Sequence, residues 1–414
     1  LSIPKESLPS EKRVAISPDN VASFVKLGYE VRIESGAGEL SNFTDSTFEE
    51  AGARIVETKE ELWNQADLLV KLNPPSLEEA KLVREGSNLI SFAYPARNEE
   101  LLEALGQRKI NFLAMDCVPR ISRAQSMDAL SSMANVAGYR AVIESSHAFG
   151  RFFTGQITAA GKVPPAKVLI IGAGVAGLAA IGAARNMGAI VRAFDTRPAV
   201  KDEVKSLGGE FLKLDFEEDG AGSGGYAKVM SKEFIEAEMK LFAEQAEEVD
   251  VIITTAMIPG KKSPVLITAD MVKSMKQGSV IVDLAAEGGG NCELTEPGKK
   301  VVAHGVTILG YCDLPSRLPT QSSRLYGNNL VKLINLLGQA DEFAIDQEDE
   351  ILRGALVLDQ GKLSWPPPKV EVSTQPAIPK EAPKPAEEAV EKEGSSIFSP
   401  GVMLGALAVI LLAL

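Results

Sequence analysis

The feature that most constrains the fold is a glycine-rich turn with an apolar run before it and a helical pattern after it. The turn, GAGVAG at 172–177, directly follows the run Lys167–Ile171. Alanines and apolar residues then recur at helical spacing to Met187, and a second apolar run, Ile190–Phe194, ends at an aspartate. Strand, glycine turn, helix and strand in this order predict a βαβ unit of a parallel sheet.

Each glycine of this turn has a role in binding a dinucleotide. Gly172 permits the tight turn, Gly174 lets the backbone approach a pyrophosphate, and Gly177 lets the helix pack closely on the strand. The helix that begins at Val175 would point free N–H groups and its positive dipole end at the phosphates. A glycine-rich turn that binds nothing is the alternative, and the complete βαβ context argues against it.

The aspartate after the second strand predicts which dinucleotide is bound. Asp195 lies 23 residues after Gly172, close to the usual spacing of about 20. Its carboxylate would accept hydrogen bonds from ribose hydroxyls and repel a 2′-phosphate. The site is therefore predicted to prefer NAD(H) over NADP(H), although Arg192 and Arg197 beside it weaken that preference.

Apolar runs alternate with helical patterns throughout residues 1–365, which predicts an α/β fold. Uninterrupted apolar strands indicate parallel sheets covered on both faces. We expect two Rossmann-like parallel-sheet domains with a cleft between them. The first is predicted at 1–135, completed by about 320–365, and the NAD(H)-binding Rossmann domain at 136–319. The predicted strands are 29–34, 68–72, 89–93, 112–116, 167–171, 190–194, 249–254, 279–284 and 306–309.

The C-terminal segment differs in composition from the rest of the chain. Residues 366–396 contain seven prolines among lysines and glutamates, which predicts a disordered linker that cannot bury a core. Residues 402–414, VMLGALAVILLAL, carry no charge, but a membrane span needs about 20 such residues. We interpret 397–414 as the start of a transmembrane helix, with a buried or tail helix as the alternative.

Composition excludes several classes of function. The net charge is −13 with an isoelectric point of about 5.0, and no basic stripe is present, so nucleic acid is not expected as a partner. The three cysteines are far apart and only two histidines, His147 and His304, occur. This pattern predicts neither a metal site nor a disulfide framework, and it fits a reducing compartment.

Several long segments resemble the alpha subunit of proton-translocating NAD(P) transhydrogenases, within the alanine dehydrogenase/transhydrogenase family. The resemblance covers about residues 1–365. The segments are RISRAQSMDALSS (120–132), AAGKVPPAKVLIIGAGVAG (159–177), GGYAKVM (224–230), TTAMIPGK (254–261), VIVDLAAEGGGNCE (280–293) and LPTQSSRLYGNNL (318–330).

The resemblance implies an oxidoreductase that couples Re/Si-specific hydride transfer between NAD(H) and NADP(H) to proton translocation across a membrane. This chain would bind NAD(H), and NADP(H) would be bound by a partner beta subunit or domain. The family also implies a homodimer. Its location would be a bacterial plasma membrane or mitochondrial inner membrane, with lipid contact through the C-terminal segment and the globular part on the cytoplasmic or matrix side.

The resemblance also assigns residue roles. One loop is implied to hold the nicotinamide end and to meet the incoming NADP(H), through the catalytic residues Arg120, Gln125, Asp128 and Ser131. Cofactor-binding residues are implied at Gln125, Ser126, Met127, Asp128, Gly172, Gly174, Val175, Gly177, Asp195, Thr196, Arg197, Gly225, Tyr226 and Met257. Direct hydride transfer moves no proton, so such residues need only position two rings. From the residues alone, a helix-capping loop at 126–128 and a plain surface loop at 219–226 stay open as alternatives.

Two other functions fit parts of the sequence. An alanine dehydrogenase needs a carboxylate anchor and an acid–base group. Arg13 and Lys71 match the anchor positions of that family, but Tyr94 and Pro95 stand where its histidine is expected. A non-catalytic NAD-sensing module would keep the glycine turn and Asp195 without any need for a lid or a nicotinamide-side loop.

Overall fold

Two β-sheets organise the part of the chain that the computed structural model describes, which comprises residues 1–214, 216, 218, 220, 230–257 and 262–367. Residues 1–367 form one unit, and the second unit, 368–414, lies outside the described residues. The predicted membrane segment and nearly all of the predicted linker therefore fall outside them. Within the described ranges, no helix is both long and apolar enough to cross a membrane.

The first sheet is built from both ends of this unit. Its eight strands are β1 (Ser2–Ile3), β2 (Arg32–Glu34), β3 (Arg54–Val56), β4 (Leu68–Val70), β5 (Asn88–Ser91), β6 (Asn111–Ala114), β16 (Leu356–Asp359) and β17 (Lys362–Leu363). They lie in the order β17-β16-β6-β5-β4-β1-β2-β3. The pairs from β6 to β3 are parallel, whereas β16 pairs antiparallel with both β6 and β17.

The second sheet contains the predicted βαβ unit. Its seven strands are β9 (Lys167–Ile171), β10 (Ile190–Phe194), β11 (Glu210–Phe211), β12 (Val251–Thr254), β13 (Val280–Asp283), β14 (Lys300–Ala303) and β15 (Val306–Leu309). They lie in the order β11-β10-β9-β12-β13-β15-β14, and every pair is parallel except β14 with β15. A separate hairpin is formed by β7 (Gln156–Thr158) and β8 (Gly161–Val163).

Twelve α-helices connect and cover these sheets in the described part of the chain. They are α1 (Pro18–Lys26), α2 (Asp45–Glu50), α3 (Lys59–Asn64), α4 (Leu77–Ala80), α5 (Glu99–Gln107), α6 (Ala129–Phe149), α7 (Val175–Asn186), α8 (Lys201–Ser206), α9 (Lys232–Glu248), α10 (Ala269–Ser274), α11 (Pro319–Leu337) and α12 (Glu350–Ala355).

The prediction of two Rossmann-like sheets is confirmed, but the sheets are not parallel throughout. The edge strands β14 and β17 are each joined to a neighbouring strand by a two-residue hairpin turn, His304-Gly305 and Gln360-Gly361 respectively. All four turn residues have positive φ, between 46° and 83°. Two consecutive positive φ values are typical of the tight hairpin turn that reverses a strand, so these turns set β14 antiparallel to β15 and β17 antiparallel to β16. Strand β16 is also antiparallel to its other neighbour, β6.

Burial on both faces explains the continuous apolar strands. Along β9, Val168 and Ile170 pack into one hydrophobic cluster, whereas Leu169 and Ile171 pack into another on the opposite face. Successive strand residues point to opposite faces, so a strand covered on both sides needs an apolar residue at every position.

Helix α6 connects the two cores. Its first turns place Ala129 and Met133 in the core of the first sheet, and its later turns place Ala141 and Val142 in the core of the second. Helix α11, which follows the second sheet in sequence, packs back into the core of the first sheet. The two sheets are therefore linked by buried helical contacts.

Candidate functional site

The glycine turn after β9 has the geometry that a pyrophosphate requires. Gly172 has φ of +97°, and a Cβ on Gly177 would lie 1.8 Å from the Gly172 carbonyl oxygen. Both positions therefore need glycine for the protein's own packing. A Cβ on Gly174 would meet no protein atom within 4 Å. Because nothing in the protein fills that space, a ligand can approach the backbone there.

A cavity of about 1070 Å³ opens in front of this turn, at the upper end of the ~300–1,000 Å³ usual for ligand sites. It brings together predicted residues from three distant parts of the sequence. Those that line it are Arg120, Gln125, Asp128, Ser131, Gly172, Gly174, Val175, Asp195, Thr196, Arg197 and Met257. The nicotinamide-side loop and the dinucleotide turn therefore share one cavity.

Three other predicted site residues do not line the cavity, and two cannot be compared with it. Gly225 and Tyr226 fall outside the described residues. Gly177 is buried beneath the turn, Met127 packs into the core of the first sheet, and Ser126 is exposed away from the cavity wall. Ser126 and Met127 lie in a 3-10 turn, Ser122–Met127, whose tight winding directs neighbouring side chains to different sides.

Asp195 is held by groups of its own chain. Its Oδ2 accepts hydrogen bonds from the backbone N–H of Ala173 at 2.7 Å and from Arg197 Nη2 at 2.9 Å. Its Oδ1 accepts from the backbone N–H and Nε of Arg197, at 2.8 and 2.9 Å. A carboxylate offers about four acceptor positions, so these donors use the carboxylate fully.

The two arginines beside Asp195 behave differently. Arg197 forms the bidentate pair with Asp195 and lines the cavity. Arg192 points toward α9, where Nη1 donates to Gln245 and Glu248 at 2.8 Å each. Of the two, only Arg197 is placed to affect a bound ribose.

The nicotinamide-side loop leads directly into a long helix. Asp128 is the N-cap of α6, because its Oδ1 accepts from the Ser131 N–H at 2.8 Å and its Oδ2 from the Ser131 hydroxyl at 2.6 Å. The capping interpretation of this loop is therefore confirmed, and both side chains also line the cavity. From α11, Asn329 Nδ2 donates to the Ser126 carbonyl at 2.8 Å, which fixes the loop from behind.

A second anchor holds the cavity wall near Met257. The Asn291 amide accepts from Ala256 N–H at 3.0 Å and donates to the Ala256 and Pro264 carbonyls. The Asn291 N–H in turn donates to the buried Asp283 carboxylate at 2.8 Å. In the VIVDLAAEGGGNCE segment, Asp283 and Asn291 therefore support the cavity wall.

The sequence interpretation missed Glu238 of α9, which lines the cavity and is 7% exposed. Burial, and then the charge of Asp195, raise the pKa of this carboxyl to about 7. It carries no motif. Its signal in the sequence is a glutamate in line with Phe234 and Phe242 at four-residue spacing, where a helix buries apolar side chains.

The residues that would anchor a carboxylate substrate are occupied by internal carboxylates. Arg13 forms a bidentate pair with Glu11, at 2.7 Å from Nε and 2.6 Å from Nη2. The side chain of Lys71 is fully buried, with Nζ 3.4 Å from Glu79 and 3.6 Å from Glu6. Neither cation lines the cavity.

The glycine turn, the acidic residue after β10 and the cavity beside two Rossmann-like sheets define a dinucleotide-binding α/β protein of the dehydrogenase type. Family models give a more specific assignment. Residues 2–137 match the alanine dehydrogenase/PNT N-terminal domain and residues 141–366 match the C-terminal domain. The chain belongs to the alanine dehydrogenase/PNT family.

Individual relatives distinguish the two branches of this family. The chain is 56% identical over 408 residues to NAD(P) transhydrogenase subunit alpha of Haemophilus influenzae, covering 98% of this chain and 79% of that protein. It is 31% identical to alanine dehydrogenase of Mycolicibacterium smegmatis, covering 88% and 94%. The crystal structure of transhydrogenase from Sinorhizobium meliloti matches with a TM-score of 0.77 at 39% identity, covering 88% and 98%.

Proposed function

We propose that this chain is the NAD(H)-binding component of a proton-translocating NAD(P) transhydrogenase. Hydride passes between NAD(H) held in the cavity and NADP(H) held by a beta subunit or domain. The observation that carries the proposal is one cavity with the dinucleotide turn at one end and the Arg120–Ser131 loop at the other. The higher identity to transhydrogenase alpha subunits than to the alanine dehydrogenase supports it.

The residues of this cavity supply positioning rather than acid–base chemistry. NAD(H), when bound, supplies the hydride-carrying ring. The glycine turn and the α7 N-terminus bind the pyrophosphate, and Asp195 and Arg197 mark the adenosine end. Arg120 and Gln125 orient the nicotinamide end, while the capped Asp128 and Ser131 fix the loop that carries them. Hydride transfer needs only that two rings be held at contact distance.

The competing alanine dehydrogenase function is opposed by the pairing of Arg13 and Lys71. A substrate carboxylate needs a cation that is free to receive it, and here Glu11 and the Glu6–Glu79 pair hold both cations. Burial of Lys71 leaves no access for a substrate.

We also propose the chain's organisation and partners. Residues 1–135 with about 320–365 form one domain, 136–319 form the NAD(H) domain, and 366–396 link them to a membrane segment that begins near 397. The enzyme sits at an inner membrane with this part on the cytoplasmic or matrix side. A homodimer is supported by the β7–β8 hairpin, in which Ile157 is 82% exposed. An isolated two-stranded hairpin is marginally stable, so a partner subunit is expected to cover it.

The function is tested by combining the purified chain with a purified NADP(H)-binding partner and an oxidised NAD analogue. Reduction of the analogue by NADPH supports the proposal. Binding of NADH without transfer would favour a sensor, and turnover with NAD and alanine alone would favour an alanine dehydrogenase. Gln125→Ala should slow transfer more than it weakens NADH binding, whereas Gln107→Ala, an exposed glutamine at the end of α5, should change neither.

The homodimer is tested separately by analytical ultracentrifugation. Ile157→Asp should shift the chain toward the monomer. Val302→Asp on the edge strand β14, where the side chain is 64% exposed, is the matched control and should leave the mass unchanged. Equal masses for both variants and the unmodified chain would reject the hairpin as the dimer contact.

A further inference from the structure

The chain crosses between the two cores first along α6 and again at residues 314–316. At this second crossing, Leu314 packs into the core of the second sheet. The Ser316 hydroxyl accepts from the Lys12 N–H at 2.8 Å and donates to the Ser10 carbonyl at 3.0 Å, and these two residues lead into the core of the first sheet. The chain therefore leaves one core at Leu314 and joins the other at Ser316, and Arg317 follows directly.

The side chain of Arg317 reaches back over the second crossing to groups on the side of the second core. Its Nη1 donates to Glu144 Oε1 at 3.1 Å, and its Nε donates to Asp313 Oδ1 at 2.8 Å. Its Cζ lies 3.7 Å from the centroid of the Tyr311 ring, which packs against the second core. The backbone of Arg317 thus continues toward the first core, while its charged end is held by the second.

Glu144 is a fixed acceptor for Arg317, because helix α6 is held against the helix that follows the glycine turn. Gly138 of α6 packs so closely on α7 that a Cβ there would lie 1.9 Å from the Ala176 carbonyl oxygen. Glu144 Oε1 also accepts from Arg140 Nε and Nη2, at 2.9 and 2.8 Å. Burial alone would raise the pKa of Glu144, but the hydrogen bonds from Arg140 and Arg317 outweigh it and lower the pKa. This carboxylate is therefore ionised at neutral pH.

The two ends of the cavity belong to different cores. The glycine turn extends from the second sheet, whereas the Arg120–Ser131 loop follows β6 and packs on the first core. We propose that Arg317 is a positioning residue for hydride transfer, which fixes the angle between the two cores by joining the second crossing to α6. The inference rests on the proposed function, since it concerns the same reaction. The pyrophosphate and adenosine contacts lie on the second sheet alone, so NADH affinity depends on that angle less than hydride transfer does.

The test compares hydride transfer with NADH binding in the full chain, using the purified NADP(H)-binding partner and an oxidised NAD analogue. Arg317→Met keeps an unbranched apolar side chain and removes the guanidinium. We expect the transfer rate to fall by about 10- to 100-fold, as misplacement of reacting groups by up to about 1 Å does, and NADH affinity to change by less than about threefold. Arg317→Lys keeps the positive charge and should recover most of the rate.

Arg140→Met is the matched control, because Arg140 and Arg317 share Glu144 as acceptor and both side chains are 26% exposed. Arg140 bonds within α6 and does not span the second crossing, so its loss should leave the transfer rate unchanged. Glu144→Gln should slow transfer with little change in NADH affinity, which keeps the test decisive if Arg317→Met does not fold. Combining Glu144→Gln with Arg317→Met should add no further loss, because both remove one interaction.

Several results would overturn the inference. An unchanged transfer rate in Arg317→Met would show that the second crossing needs no such contact. Equal losses of NADH affinity and transfer rate, or an equal loss of rate in Arg140→Met, would assign the network a structural role. Additive losses in the double variant would show that Arg317 and Glu144 act separately. If the unmodified chain bound NADH but transferred no hydride with the partner, the proposed function itself would fail, and this result is distinct because it precedes any substitution.

Discussion

Replacing Glu11 by alanine is expected to destabilise the protein strongly, because it leaves Arg13 buried without its partner. The side chains are 5% and 10% exposed, respectively. Burial alone would raise the pKa of Glu11, but the hydrogen bonds and charge of Arg13 outweigh it and lower the pKa to about 2. The pair is therefore held together against a considerable desolvation penalty.

The magnitude follows from that pKa. A fall from 4.5 to about 2 corresponds to roughly 3 kcal/mol of stability contributed by the ionised form. Removing one member of a buried pair typically costs about 3–5 kcal/mol. We expect Glu11→Ala to lower the free energy of unfolding by about 3 kcal/mol at pH 7.

Urea unfolding measures this loss. Because the folded-state pKa of Glu11 lies below its ordinary value, its contribution is present above about pH 4.5 and is lost as the pH falls toward 2. The difference between the two proteins should therefore shrink at pH 3. Glu30→Ala is the matched control, since Glu30 pairs with Arg32 but is 58% exposed and should contribute less than about 1 kcal/mol.

The same variant tests whether an internal carboxylate occupies an anion site. With Glu11 removed, Arg13 can receive an external carboxylate, so added formate or a 2-oxo acid should restore part of the lost stability. Chloride at equal ionic strength should restore less. A loss no larger than that of Glu30→Ala, or no response to carboxylates, would refute the reasoning.

Three further predictions concern the cavity and its supports. Gly138→Ala should lower the free energy of unfolding by about 1–3 kcal/mol and weaken NADH binding, because its Cβ would lie 1.9 Å from a backbone oxygen of α7. Gly182→Ala, whose Cβ would lie 3.9 Å from its nearest neighbour, should change neither quantity. Urea unfolding and fluorescence titration measure the two effects. Asn329→Ala should slow hydride transfer more than it weakens NADH binding, because the bond to Ser126 is lost. In urea unfolding, Glu238→Gln should raise the free energy of unfolding by up to about 3 kcal/mol at pH 8 and by little at pH 5. The pKa of Glu238 is raised to about 7, so the unmodified protein loses stability as the pH rises through 7 and this carboxyl ionises.

The strands of the second sheet were the most predictable part of the fold. The predicted bounds 167–171, 190–194 and 306–309 coincide with β9, β10 and β15, because double-sided burial leaves a continuous apolar run. The prediction 249–254 began two residues early. Asp250 accepts a hydrogen bond from the Lys167 N–H through its side chain, and the strand itself begins at Val251.

The extent of helix α6 was not predicted, although a helix cap at 126–128 was considered, because the apolar residues of α6 do not form one stripe. Its first turns contact the core of one sheet and its last turns the core of the other, so the buried face changes along the helix. Periodicity within a single segment detects a helix that faces one core. A helix shared between two cores loses that signal, although Asp128 and Gly150 mark its ends as N-cap and left-handed C-cap.

The site was predictable where its chemistry is local in sequence. The glycine turn and Asp195 belong to one βαβ unit, and strand geometry alone brings them together. Glu238 and Asn329 belong to helices far along the chain, and only tertiary packing brings them to the cavity or its supporting loop. Composition did not single them out, since glutamate and asparagine on a helix are ordinarily solvated.

The position of Arg13 and Lys71 is closed to a substrate, whereas the cavity in front of the glycine turn is open. Together these two features indicate where the second reactant must bind. Internal carboxylates hold Arg13 and Lys71, so neither of these two cations is open to a small carboxylate substrate. The cavity in front of α7 remains large, and it is lined by the loop that carries Arg120 and Gln125. On the proposed function, the hydride acceptor or donor must therefore be presented to that loop from outside the chain. In the proposed function an NADP(H)-binding partner presents it in that way, so the full reaction would take two components.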